Sequence, residues 1–263
     1  MHIDIDRFAL IESLVHTWDT RCKIVFFTIA VFCISMLKII ELSLLAFAFS
    51  VIITVVSKIP VKFILQRVMY PILFLLPLFI FLPLSSGGKI LIDLNFFNIY
   101  YDGLYISFLI FLKAVSIITL IIMMLGTSTF YQSAMALKAL KIPYKLINLM
   151  LFTYRYIFVY LEDLRKMRNS LILRGYKSRN WILSIISSAN LVGSLLIRSY
   201  EQTDRMYNAM ILRGFNSEIK YQYEFQIRKD DIIKSVLILL FYSSLLFYQI
   251  IIENNNGILI WVK

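Results

Sequence analysis

The chain has 263 residues, of which 60% are hydrophobic and only 16% charged, and its mean hydropathy is +0.77. This composition leaves too little polar surface to cover a water-soluble globule of this size, so it excludes a soluble single domain. With eight Gly, five Pro and two Cys, the chain also lacks the signatures of collagen, disordered chains and disulfide scaffolds, which leaves an integral membrane protein.

The net charge of +11 is concentrated in one segment. Residues 138–229 contain sixteen Lys and Arg against six Asp and Glu, a surplus of ten, whereas the segments before and after carry net charges of +2 and −1. The positive-inside tendency places this basic segment on the cytoplasmic side. No nucleic-acid-reading motif accompanies the charge, so we expect membrane lipid and protein as partners, and no nucleic acid.

The first predicted elements are a surface helix and five membrane spans. Residues 7–18 place apolar side chains at helical spacing, which is typical of a helix lying on the membrane. Charge-free runs close to the length that crosses hydrocarbon then predict the spans, and the first two are short enough to need snorkelling flanks or a thinner bilayer. The predicted spans are Ile24–Leu37, Leu42–Ser57, Val68–Leu84, Leu104 to about Gly126, and Ile232–Ile252.

The segments between the spans complete an all-α, polytopic architecture. A short strand pair is expected where Ile90, Ile92, Leu94 and Phe96 alternate, and Thr127-Ser128-Thr129 suits the start of a following helix. With the N-terminus inside, loops 58–67 and 129–229 lie inside. We therefore divide the chain into 1–128 with the surface segment and four spans, 129–229 with cytoplasmic coupling helices, and 230–263 with the last span and an outer tail.

Residues 180–197 form another charge-free run, but we predict an amphipathic helix there and not a sixth span. Polar side chains follow helical spacing along this run and lead into a charged continuation. They are Ser184, Ser187, Ser188, Asn190 and Ser194, followed by Arg198, Glu201 and Arg205.

The most specific feature of the sequence is an internal repeat in the basic segment. Residues 162–178 align with 201–217, and eight of the seventeen pairs are identical. Both copies end in Ile-Leu-Arg-Gly followed by an aromatic residue. The two endings are Leu173-Arg174-Gly175-Tyr176 and Leu212-Arg213-Gly214-Phe215.

Each copy is predicted to be a helix that ends with Gly in the left-handed C′ position, the following aromatic folding back on Leu171 or Met210. One such ending is adequately explained as a glycine-capped helix whose arginine complements the helix dipole. Two matched endings favour two similar sockets on a partner with twofold or pseudo-twofold symmetry. The repeat therefore predicts a dimeric cytoplasmic partner.

These endings, together with motifs elsewhere in the chain, resemble the transmembrane T component of energy-coupling factor (ECF) transporters, in particular its CbiQ branch. The similarity covers roughly residues 4–250. The other motifs that carry it are Asp4-x-Asp6-Arg7-Phe8-Ala9, His16-x-x-Asp19-x-Arg21-x-Lys23, Thr127-Ser128-Thr129-Phe130, Leu137-Lys138-Ala139-Leu140-Lys141-Ile142-Pro143 and Tyr154-Arg155-Tyr156-Ile157-Phe158.

The resemblance implies a non-catalytic scaffold in the prokaryotic cell membrane. It would couple two cytoplasmic ABC-type ATPase subunits to a separate substrate-binding membrane subunit, CbiM-like and possibly with a CbiN-like component, for uptake of cobalt or nickel. In the family the Arg-Gly helix ends dock in ATPase grooves, which assigns that role here to Arg174, Gly175, Arg213 and Gly214 with their neighbours. The usual family motif is Ala-Arg-Gly, whereas this chain has Leu173 and Leu212 in the Ala position.

Motifs for chemistry are missing from the sequence. It contains no G-x-x-x-x-G-K-[ST] phosphate loop, no H-E-x-x-H and no G-x-S-x-G, so we expect no ATP hydrolysis by this chain, no cofactor and no metal site. A membrane-embedded enzyme acting on lipid or isoprenoid substrates is the alternative function, and a secondary transporter is a further rival, although the repeat is direct and lies outside the spans.

Lys113 falls near the middle of the fourth span, where a charge is costly. It either snorkels or makes an interior contact that couples this span to the substrate-binding subunit. His2 is more consistent with a solvated or interfacial position than with metal chelation.

Overall fold

A computed structural model describes residues 13, 15, 18–57, 59–85, 87, 90–94, 97–176, 180–215 and 229–255. His2 lies outside the described residues, and so does the predicted surface helix at 7–18 except for residues 13, 15 and 18. The chain divides into two compact units, residues 1–136 with 225–263, and residues 137–224.

The first unit is a helical bundle with one hairpin. Its helices occupy the five predicted spans, with ends that differ from the predicted ones by a few residues. They are α1 Thr20–Met36, α2 Ile40–Val56, α3 Val61–Ser85, α4 Tyr101–Gly126 and, numbered in chain order, α8 Lys229–Asn255. Helix α4 packs against α1, α2 and α3, while α8 packs against α1 and α2.

A hairpin joins α3 to α4 and confirms the predicted strand pair. Strands β1 Ile90–Leu94 and β2 Phe97–Tyr100 are antiparallel, with Leu94 opposite Phe97 and Asp93 opposite Asn98. Phe96 lies outside the described residues. Apart from this hairpin the described chain is predominantly helical, as an all-α membrane protein requires.

Helix α5 Phe130–Ala139 follows α4 after a three-residue junction. Thr129 caps it: its hydroxyl accepts from the Gln132 amide (3.2 Å), and its own amide donates to the Gln132 side chain (3.0 Å). This reciprocal pair is a capping box, so the helix start predicted from the hydroxyl run is confirmed.

The second unit contains two long helices, α6 Tyr144–Leu173 and α7 Trp181–Leu212, which pack against each other. The Ser194 hydroxyl lies 3.5 Å from the Met167 sulfur, and Tyr156 contacts Met206. At about 1.5 Å per residue, 30 and 32 residues give helices roughly 45 Å long. The described part of each repeat copy thus begins within the C-terminal half of a long helix and ends just beyond the last helical residue.

Four described helices are long and apolar enough to cross a membrane, namely α3, α4, α7 and α8, while α2 is a shorter apolar helix. Helices α1 and α2 have 17 residues each, about 25 Å, which is shorter than the hydrocarbon core of about 30 Å. Length and composition alone therefore count α7 among the possible membrane spans, whereas its polar spacing predicts an amphipathic helix outside the membrane core. That α7 is not a span stays a prediction.

The bundle is close-packed through small residues on α2. Ser43, Ala46, Ser50 and Thr54 line its buried face, and their spacing is that of one helix stripe. The three hydroxyls donate to carbonyls in the preceding turn, at 2.7 to 3.0 Å, so no polar atom of this stripe needs another helix. Small side chains allow the backbones of membrane helices to approach closely, which provides dispersion energy where lipid removes the hydrophobic effect.

We predict that Ala46→Leu destabilises the bundle, whereas Ala48→Leu does not. Ala46 is fully buried and Ala48, on the same helix, is exposed. Overpacking costs about 1–3 kcal/mol, so the Ala46 variant should unfold at a lower temperature in detergent, as followed by circular dichroism. Equal melting of the two variants would contradict the packing assigned to α2.

Candidate functional site

The two ends of the repeat adopt the same backbone structure. Arg174 is the C-cap residue of α6, and Arg213 is the C-cap residue of α7. Each is followed by a glycine with positive φ, +84° at Gly175 and +76° at Gly214. A left-handed residue reverses the chain direction within one peptide, and glycine adopts it without a Cβ penalty. Each arginine is thus placed at the tip of its helix.

Hydrogen bonds close both ends in the pattern of a Schellman motif. The Gly175 amide donates to Ile172 O (3.0 Å) and the Tyr176 amide to Leu171 O (3.1 Å). In the second copy, Gly214 donates to Ile211 O (2.9 Å) and Phe215 to Met210 O (3.0 Å). The predicted glycine-capped endings are confirmed for both copies, whereas contact of the aromatic rings with Leu171 and Met210 stays a prediction.

The exposed groups at the two tips also match. Leu173 is 88% exposed and Leu212 is 87% exposed, while Arg174 and Arg213 are exposed and the aromatics Tyr176 and Phe215 are half-buried. A lone exposed leucine is ordinary, but two at equivalent positions beside two arginines form a repeated surface. We call each Leu-Arg-Gly-aromatic ending a helix tip.

Both tip guanidinium groups are available for a partner. Among the residues that the structure describes, neither the Arg174 guanidinium nor the Arg213 guanidinium has a hydrogen-bond or ion-pair partner. A guanidinium offers five donors in a fixed plane and stays charged at any physiological pH. Each tip therefore presents unsatisfied donors next to an apolar side chain, a combination suited to a groove with acceptors and an apolar floor.

The repeat extends to an ion pair two turns before each tip. Lys166 Nζ lies 2.8 Å from Glu162, and Arg205 lies 3.9 Å from Glu201, both at i, i+4 spacing. The hydrogen bond from Lys166 holds the pKa of Glu162 below its usual value and raises the pKa of Lys166. Exposed pairs of this kind add little to stability, so we take them only as evidence that the two copies of the repeat are alike.

Lys113 makes a contact inside its own chain. Its ammonium donates to Ser35 O at 3.0 Å, at the C-terminal end of α1. Gln249 of α8 reaches the same end, accepting from the Lys38 amide (2.8 Å) and donating to Met36 O (3.5 Å). The sequence suggested no partner for Lys113 because a backbone carbonyl leaves no trace in a residue pattern. Contact with another subunit stays a prediction.

The sequence marks Lys23 only as the last residue of the His16-x-x-Asp19-x-Arg21-x-Lys23 motif, and its contacts make it a further functional candidate. It is 1% exposed, and its ammonium donates to Thr127 O (3.3 Å), Thr127 Oγ1 (3.2 Å) and Ser128 Oγ (3.5 Å). These groups form the junction between α4 and α5. The motif assigns Lys23 no contact, because its partners lie 104 and 105 residues away in the chain.

No group of three or more His, Cys, Asp or Glu that could hold a metal ion occurs among the described residues. The free thiols of Cys22 and Cys33 lie on α1 and are half-buried.

Comparison with known proteins identifies the family. Residues 12–223 match CbiQ, described as cobalt transport protein. An uncharacterized protein of Methanocaldococcus jannaschii is 26% identical over 258 residues, covering 91% of this chain and 83% of that protein. The energy-coupling factor transporter transmembrane protein EcfT of Staphylococcus aureus is 27% identical, covering 89% of this chain and 92% of EcfT. EcfT of Bacillus subtilis is 24% identical, with coverage of 89% and 94%.

These matches confirm the resemblance carried by the sequence motifs, and the apolar helices agree with a multi-pass protein of the prokaryotic cell membrane. Because the family match includes more than three quarters of the chain, from the end of the N-terminal segment through both helix tips, the chain belongs to the CbiQ family of cobalt transport proteins.

Proposed function

We propose that this chain is the transmembrane scaffold and coupling subunit of an ECF-type ABC importer. The two matched helix tips are the observation that carries the proposal, because equivalent donors on equivalent helix ends fit two equivalent grooves. A pair of cytoplasmic ABC ATPase subunits provides two such grooves. The names of the EcfT relatives, which are transmembrane proteins of energy-coupling factor transporters, support this assignment.

The mechanism that follows is mechanical. Closure of the ATPase pair around ATP changes the distance between its two grooves, and each tip is carried with its groove. Since α6 and α7 are continuous helices of 30 and 32 residues, a displacement at the tip is transmitted along the rod. The energy comes from the difference in tip contacts between the two states of the ATPase pair. A separate membrane subunit, CbiM-like and possibly with a CbiN-like component, binds the substrate.

Cobalt is the proposed cargo, with nickel as the second choice. The family description as a cobalt transport protein supports cobalt. We place cargo selection in the substrate-binding subunit, as the resemblance to ECF T components implies.

Replacing both tip arginines by glutamate should abolish capture of the ATPase pair. Removing a guanidinium that is buried in an interface with its acceptors costs roughly 2–5 kcal/mol, and a carboxylate in the same groove adds repulsion. Co-purification of the ATPase subunits with Arg174→Glu/Arg213→Glu protein from membranes measures the effect.

The matched control for this experiment is Lys166→Glu/Arg205→Glu. These two positions are also repeat equivalents, they are exposed, and they undergo the same change of charge. We expect the control to keep most of its ATPase capture. Full capture by the tip variant, or equal loss in both, would refute the assignment of the tips.

Replacing the tip glycines by alanine should open the helix ends. Nothing lies within 4 Å of a Cβ added at Gly175 or Gly214, so the cost comes from left-handed backbone and is about 1–2 kcal/mol. Amide hydrogen exchange at Tyr176 and Phe215 should accelerate by roughly 5- to 30-fold, and ATPase capture should weaken. Asparagine, which tolerates positive φ, should have a smaller effect.

Gly193→Ala is the control for the glycine variants. Gly193 also has open space around its Cα, but it lies inside α7 without positive φ. Alanine there should favour the helix by about 0.5–1 kcal/mol and leave exchange at both tips unchanged. If alanine at all three glycines behaved alike, the left-handed cap would not be the cause.

The placement of α7 can be decided by labelling the repeat-equivalent residues Asn169 and Asn208. Both are exposed, and we expect single cysteines at these positions, in a Cys22→Ala/Cys33→Ala background, to react with an impermeant maleimide only from the cytoplasmic side. Glu41→Cys, in the first turn of α2 and at the predicted outer side of the membrane, should react only from outside. Reaction of Asn169→Cys and Asn208→Cys from opposite sides would make α7 a membrane span and remove one tip from the cytoplasm.

A further inference from the structure

A buried lysine joins three helices at the cytoplasmic end of the bundle. Lys23 lies on α1 and its ammonium donates to Thr127 and Ser128, which follow the last residue of α4. The side chain is 1% exposed, and the carboxylates of Asp19 and Asp231 lie close enough to interact electrostatically with it. Asp231 belongs to the first turn of α8 and is itself buried.

Thr127 and Ser128 are the residues at which the chain leaves the bundle. Thr127 is the C-cap of α4, and Thr129 caps the start of α5. A cation at a helix C-terminus is favoured by the partial negative charge of the last carbonyls. Lys23 therefore binds the end of one helix and the two residues that lead directly into the next.

The neighbouring contacts fix α1 in turn. The Trp18 indole donates to Ser235 Oγ of α8 (3.1 Å), and Asp19 caps α1 by accepting from the Arg21 amide (2.8 Å). Trp18 and Ser235 are both buried. The cytoplasmic end of α1 is thus held against α8 as well as against the α4–α5 junction, all within the first unit.

We infer that Lys23 is a positioning residue that ties the origin of α5 to α1 and α8, so that the segment leading to the coupling helices moves together with the bundle. This inference rests on the proposed coupling function for its purpose, although the tie itself is a property of the isolated chain. A hinge at Thr127 and Ser128 would otherwise let α5 swing without moving the bundle. The lysine closes that hinge by three hydrogen bonds from one ammonium.

Lys23→Met is the first test, because methionine keeps the unbranched length and removes the charge. A spin label on exposed Tyr131 of α5 and one on exposed Phe247 of α8 report the position of α5 relative to the bundle. The labels replace cysteines introduced into a Cys22→Ala/Cys33→Ala background. We expect a broader distance distribution in Lys23→Met than in the parent protein. Amide exchange in the first turn of α5 should accelerate by roughly 10- to 100-fold, because hydrogen bonds to a charged group typically stabilise a structure by a factor of this size.

Thr127→Val and Ser128→Ala provide a second route if Lys23→Met does not fold. Each removes one hydroxyl acceptor and keeps the ammonium and the Thr127 carbonyl, so we expect an intermediate broadening. Gln249→Met is the matched control, since it removes buried polar contacts to the opposite end of α1. It should lower thermal stability and leave the Tyr131–Phe247 distribution narrow.

Two results would overturn the inference. One is an unchanged distribution in Lys23→Met or, if that protein does not fold, in both hydroxyl variants. The other is equal broadening in Gln249→Met, which would mean general loosening of the bundle. These measurements use the full chain without ATPase subunits, so they do not depend on the proposed function. Retained ATPase capture by the tip-arginine variant would refute that function and leave the distance result standing.

Discussion

The left-handed backbone at Gly175 and Gly214 is the constraint on which the geometry of the candidate site depends. A long helix has no intrinsic reason to stop beside a particular side chain, and the arginine would otherwise point from a frayed end with a variable position. The positive φ and the two reverse hydrogen bonds stop each helix within one residue of its arginine. Two tips with the same closure present their guanidinium groups and leucines from the same local frame.

The bundle is held by a different kind of interaction. Lipid provides no hydrophobic driving force between spans, so polar contacts and close packing of small residues determine which helices associate. At one end of α1, Lys23 and Trp18 bind the α4–α5 junction and α8. At the other end, Lys113 and Gln249 bind its last carbonyls from α4 and α8. The contacts from Lys113 and Gln249 also supply partners for backbone carbonyls in the last turn of this 17-residue helix.

Local features were predictable from the sequence, whereas the long-range contacts were not. The glycine-capped tips, the helix start at Thr129 and the hairpin after α3 each depend on residues close together in the chain, and all three are confirmed. The partners of Lys23 are 104 and 105 residues away, and one of them is a carbonyl that every residue possesses. Placement of α7 is open for another reason: its apolar length suits a span and its polar stripe suits a surface helix.

A subunit that passes on a displacement, as we propose for this chain, depends on stiffness at the helix tips and at the α4–α5 junction. A displacement is transmitted only if the helix tips do not move relative to their partner and the α4–α5 junction does not bend. The left-handed caps limit movement at the tips, because they fix the backbone conformation there. The buried ammonium of Lys23 opposes bending at the α4–α5 junction, because bending would leave the charge without its acceptors in a site that excludes water. Given stiffness at these two kinds of position, the helices between them need only remain continuous.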